Sequence, residues 1–273
     1  MRAKAIFLSA VVLFCAVSVI QAQGDIHGSV GVTYDSKYIW RGFDVYGDKS
    51  AIHPFVDLDL GQGFGISAMG HRANSSGHEN AERWDYTLYY QNQLFPDETY
   101  VINYRLGWVY YNYPDQPEKG SMTAPNAALQ EMHTILSWPK ICPAGVVPSY
   151  VLVKLWPSKS GSFSGSRSPM CGTASGYAHI FMLDYGLSVE CPMTGEEKVL
   201  NLHSEFVYND GVGPAGQNVD QDWSNAVFGV STNYDLGNDL TLTPGLYHQV
   251  TMDDSVNDDK DETWISMTLR YAF

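Results

Sequence analysis

The chain has 273 residues, with 16 Lys and Arg against 30 Asp and Glu and a formal net charge of −14. Such an acidic balance excludes a phosphate-binding surface, so no nucleic-acid partner is expected. No apolar run after the first twenty residues is long enough for a spanning helix, which excludes a helical membrane protein and leaves open a barrel, whose spanning strands are short and alternate.

Residues 1–22 read as a secretory signal. Arg2 and Lys4 make a basic start, Ala5 to Ile20 is apolar, and Ala22 is a small residue at the cut. An uncleaved anchor is the alternative. Cys15 sits inside the apolar run rather than at a lipidation site. Without Arg2 and Lys4, 14 basic residues face 30 acidic ones, a charge of −16. Residues 23–273 then form one large all-β domain.

Twelve strands are expected, near 26–39, 51–60, 63–72, 84–95, 99–112, 128–138, 146–156, 177–190, 199–209, 223–235, 239–250 and 262–273. Most alternate: Ile102, Tyr104, Leu106, Trp108 and Tyr110 oppose Asn103, Arg105 and Gly107, and Phe181, Leu183, Tyr185 and Leu187 oppose Asp184, Gly186 and Ser188. Segment 128–138 alternates loosely. Segment 239–250 carries Pro244, which cannot donate a ladder hydrogen bond and demotes the strand.

Connections alternate in length. Gly61–Gly63, Pro96–Glu98 and Leu236–Asn238 are tight, whereas 40–50, 73–83, 113–127, 157–176, 210–222 and 251–261 are long and polar. Tyr and Trp gather near strand ends, where a membrane barrel meets the two water–lipid interfaces. The expectation is an antiparallel up-and-down transmembrane β-barrel of 12 strands, with short periplasmic turns and long outer loops.

The last twelve residues sharpen this. Ile265, Met267, Leu269, Tyr271 and Phe273 share one face; Trp264, Ser266, Thr268, Arg270 and Ala272 share the other. The segment resembles the closing strand of bacterial outer-membrane barrels, which implies that Tyr271 and Phe273 act as a signal read by barrel-assembly machinery. The opening Gly31-Val-Thr-Tyr-Asp-Ser-Lys-Tyr-Ile-Trp-Arg-Gly-Phe43, followed by His53-Pro-Phe-Val-Asp-Leu-Asp59, resembles the TorF-like porin family. There a strand ends in Tyr, an apolar or aromatic residue, Arg and Gly, and the next begins with Pro and alternating apolars. The resemblance implies a bacterial outer-membrane pore without naming its solute.

With the apolar phase turned to lipid, the other phase lines a wet lumen. Expected lining residues are Arg41, Asp57, Asp59, Asp85, Arg105, Lys154, Asp184, His203, Glu205, Asp235 and Arg270, joined by His71, Glu131, His133 and Glu190. Arg41 reads equally as an interface side chain paired with a carboxylate. Acid exceeds base on this phase, which favours cations. The reading is passive diffusion of small hydrophilic solutes through a barrel surrounded by outer-membrane lipids.

Two rival readings are a structural or adhesion-type barrel whose outer loops bind ligands, and a lipid-modifying enzyme. The enzyme needs a Ser–His pair on the lipid face. His203 and Ser204 are neighbours along a strand and point to opposite faces. No cofactor is expected. The eight His show no His-x-His or His-Glu-x-x-His spacing. The acidic loop Asp253–Glu262 lacks the glycine and spacing of an EF-hand and reads as solvated rather than calcium-binding. Cys142, Cys171 and Cys191 remain after the signal. Cys142 and Cys191 fall at the same end of neighbouring strands and are expected to form a disulfide, with Cys171 alone at the opposite mouth.

Overall fold

The structure is a computed structural model that describes residues 27–115, 129–157, 176–190, 195, 197–209 and 222–273. The expected signal, Cys171 and Cys191 lie outside these. Among the described residues the chain forms β1 (His27–Asp35), β2 (Ile39–Trp40), β3 (Phe43–Asp44), β4 (Ala51–Gly61), β5 (Phe64–Ala73), β6 (Arg83–Leu94), β7 (Ile102–Asn112), β8 (Leu129–Ser137), β9 (Val147–Pro157), β10 (Gly176–Glu190), β11 (Glu197–Tyr208), β12 (Trp223–Thr232), β13 (Tyr234–Gly237), β14 (Leu240–Thr251) and β15 (Glu262–Ala272).

Apart from the small β2–β3 hairpin, each strand pairs antiparallel with the next in sequence, except that β12 and β13 both pair with β14, and β1 pairs with β15. The sheet therefore closes on itself as a 12-strand barrel, in which β12 and β13 are one interrupted wall. Closure satisfies the backbone groups that an open sheet edge would strand in lipid. At the seam, Gly28 N–H donates to the Phe273 carbonyl (2.8 Å) and Phe273 N–H donates back to Gly28 (3.0 Å). The Phe273 ring stacks against Tyr271 on the outer face, with centroids 6.2 Å apart. Phe273 thus joins the last hydrogen-bonded pair of the closing seam. Phe273→Ala is expected to lower the amount of heat-modifiable barrel recovered from outer membranes while leaving the thermal stability of assembled barrel nearly unchanged. Wild-type assembly of the variant would contradict this.

The strand expected near 239–250 forms as β14 despite Pro244. Its place is explained by its neighbours. β14 pairs with β12 from Thr251 to Gly245 and with β13 from Leu242 onward, so Pro244 falls in the interval where that wall is broken. Asn233 lies in the break and accepts a hydrogen bond from Thr243 Oγ1 (2.7 Å). A missing donor costs little where the ladder is already interrupted.

Two expectations need correction. The first strand ends at Asp35 rather than near 39, and the next residues leave the wall. Strand β9 presents Val151, Val153 and Leu155 inward, in register with inward Ile135, His133 and Glu131 of β8. Lys154 pairs with the exposed Met132 and faces outward. β9 is apolar on both phases, so its composition could not choose a face; its neighbours' register does.

Candidate functional site: a hairpin inside the barrel

Residues 36–50 join β1 to β4 and fold into the lumen. At the tip, Trp40 pairs with Phe43 around Arg41 and Gly42, both at positive φ (52° and 89°). This matches the two-residue turn that suits a twisted hairpin. Gly42 has no alternative: a Cβ there would lie 2.8 Å from Val256 Cγ1 and 3.0 Å from Asn225 Oδ1.

The tip crosses the barrel. The Arg41 guanidinium bonds the Glu131 carboxylate on β8, and the Tyr111 hydroxyl donates to the same oxygen (2.6 Å). His133 Nδ1 lies 3.1 Å from the other Glu131 oxygen. Gln249 Nε2 on β14 donates to the Gly42 carbonyl (2.7 Å). Phe43 packs on Val256 of the loop after β14, and Trp40 covers an apolar patch of Val109, Tyr111, Leu129 and Leu155. One two-residue turn therefore touches walls on both sides of its origin.

The root of the hairpin is fixed by polar groups. Tyr38 is buried, stacks on His71 (4.9 Å), packs tilted against His53 (4.7 Å), and accepts a hydrogen bond from Arg83 Nη2 (2.7 Å). Arg83 grips Asp85 through Nε (2.7 Å) and Nη2 (3.1 Å), a bidentate pair. Its guanidinium carbon lies 4.2 Å from the Trp40 ring centroid. Tyr46 is fully buried and donates to the His71 carbonyl (3.0 Å). Lys37 bridges Asp48 and Glu262; hydrogen bonds to these two, Asp48 first, hold its ammonium well above the usual lysine range. Asp44, Asp48 and Glu262 present carboxylate oxygens within 4.8 Å of one another. Lys37 already serves two of them as counter-ion.

The expected lining residues divide. Asp57, Asp59, Arg105, Asp184, His203, Glu205, Asp235 and Arg270 keep the inward phase. Asp57 accepts from the Tyr89 hydroxyl (2.9 Å), Arg105 lies over the Tyr89 ring (3.9 Å) and donates to Gln91, and His203 Nδ1 lies 2.7 Å from Asp184. Asp59 and Asp235 cap the turns at Gly61 and Gly237. Asp85 is spent on Arg83 and His71, and Arg41 lies inside the barrel on the hairpin rather than on a strand. Lys154 is no lining residue: its ammonium lies 4.3 Å from the centroid of the Tyr177 ring on the outer face. Among the described residues Cys142 has no disulfide partner, and its expected partner Cys191 lies outside them.

Between the hairpin and the β10–β15 walls remains a cavity of about 230 Å³, bounded by Arg41, His203, Glu205, Asn225, Tyr247 and Trp264 among others. Gly229 makes room for the Tyr247 ring at the cavity's edge, since a Cβ there would strike that ring at 2.4 Å. On the lipid face, His179 and His248 contact Tyr150 (2.7 Å) and Thr263 (2.8 Å) rather than Ser.

No protein-family model matches the sequence and no curated protein matches it, so the TorF-like resemblance rests on residues 31–59 alone. Among solved structures, the chain is similar to the KdgM porin at 10% identity, covering 90% of this chain and 99% of that one, with a TM-score of 0.51. The KdgM porin in complex with disordered oligogalacturonate gives the same values. An outer membrane channel from Pseudomonas putida F1 is similar at 11% identity, covering 92% and 97%, with a TM-score of 0.49. The likeness to the KdgM porin is one of fold, a closed antiparallel β-barrel.

Proposed function

We propose that the chain is a passive outer-membrane channel for small hydrophilic solutes, narrowed from within by hairpin 36–50. The observation that carries this is the inward phase of a closed barrel, which holds Asp57, Arg105, Asp184, His203, Glu205 and Arg270, with His203 and Glu205 bordering a cavity the hairpin does not fill. Charged groups at membrane depth are tolerated where they meet water or partners. No covalent chemistry is involved; passage is selected by width and charge. Asp57, Asp59, Asp184 and Glu205 outnumber Arg105 and Arg270, which favours cations.

Reversal-potential measurements across a salt gradient test this. The channel is expected to prefer cations, less so at high salt, and Asp57→Asn with Asp59→Asn is expected to reduce the preference. Anion selectivity in the unmodified protein would overturn the assignment. A second reading, a non-conducting barrel with ligand-binding outer loops, is favoured by the hairpin's contacts with opposite walls.

A further inference from the structure

The strand that launches the hairpin ends beside an incomplete chain of polar contacts. Asp35 Oδ2 lies 3.1 Å from His53 Nε2, His53 Nδ1 lies 2.8 Å from His71 Nδ1, and His71 Nε2 lies 2.9 Å from Asp85 Oδ2. Both imidazoles are buried, at 3% and 6% exposure. His71 must carry its proton on Nε2 to bond the Asp85 carboxylate. Its Nδ1 is then an acceptor, so His53 must donate from Nδ1. A neutral His53 has no second proton, and its bare Nε2 faces a carboxylate. The geometry agrees: His53 Nε2 and Asp35 Oδ1 are buried without a hydrogen-bond partner. Such orphaned groups are costly and rare.

We propose that this is a proton site that latches the hairpin. One proton on His53 Nε2 turns two opposed acceptors into a charge-assisted bond to Asp35, the residue from which the hairpin departs. Tyr38 lies against both imidazoles, so ordering them orders the hairpin root. A further proton on His71 Nδ1 would face the His53 donor at 2.8 Å and add charge beside Arg83. The other titratable groups around the pair are Tyr38 and Tyr46 from the hairpin, Tyr113 after β7, and His78, whose ring meets Tyr46. None supplies an acceptor to His53 Nε2. The sign follows. The latch holds when His53 Nε2 carries the proton and loosens as pH rises and that proton leaves. On the channel reading, conductance then increases with pH.

Hydrogen-exchange mass spectrometry on the refolded barrel tests the latch without needing current. After correction for intrinsic rates, the 36–50 segment is expected to be roughly tenfold better protected at about pH 5.5 than at about pH 8. Asp35→Asn places an amide donor opposite the bare Nε2, so its protection is expected to stay high at both values. His248→Gln, on the outer face of β14, is expected to keep the wild-type response. Ring 15N titration of the unmodified protein is a second readout if Asp35→Asn fails to assemble. Protection independent of pH in the wild type, an unaltered response in Asp35→Asn, or a His53 ring that gains no proton in this range would each overturn the latch. A protein that shows the exchange response yet passes no current at any pH would remove the channel reading and leave the latch standing.

Discussion

Replacing Ile39–Asp44 with Asn-Gly is expected to raise single-channel conductance about threefold or more, since a barrel's conductance follows its narrowest section. The splice is geometrically mild. Val45 N–H already donates to the Tyr38 carbonyl (2.9 Å), so the two flanking residues sit where a two-residue turn can join them. The barrel itself does not depend on the tip, because strand pairing closes it independently. What is lost is the crossing: Arg41 to Glu131, Gln249 to Gly42, Trp40 on its apolar patch and Phe43 on Val256. Unchanged conductance would mean that the narrowest section lies elsewhere.

Arg41→Ala is expected to loosen the hairpin by about 3 kcal/mol, the cost of leaving a buried carboxylate without its cation. Glu131 is 3% exposed and would keep only Tyr111 and His133. Glu131→Gln is expected to cost less, because an amide needs no counter-charge. The double variant separates lost pairing from stranded charge. Hydrogen exchange across 36–50 reads the effect, and thermal unfolding of the barrel reads the background. Equal effects of the two single substitutions would argue that Arg41 acts by bulk rather than by charge.

The barrel was legible because its determinants are local. Alternation along β7, β10 and β15 and the sorting of connection lengths specify strands, faces and closure before any contact is known. The hairpin was hidden because Tyr38-Ile39-Trp40 continues the apolar character of a strand, and only the Arg41-Gly42 turn, at positive φ, departs from it. Arg-Gly is a weaker turn signal than Asn-Gly. The partners of Arg41 and Tyr38 lie far along the chain, at Glu131 and Arg83, so spacing could not reveal them. Arg83 escaped notice although Arg83-Trp84-Asp85 places two opposite charges on one face two residues apart, a signal available in the sequence. Lys154 was misplaced because Tyr150, Leu152 and Trp156 on one phase are no more apolar than Val151, Val153 and Leu155 on the other.

The measurement that bears most directly on the central claim is a planar-bilayer recording of the purified, refolded protein. The account predicts discrete, reproducible conductance steps with cation preference, enlarged when Ile39–Asp44 is replaced. Correctly folded, heat-modifiable barrel that passes no current, both intact and with the hairpin tip removed, would contradict it.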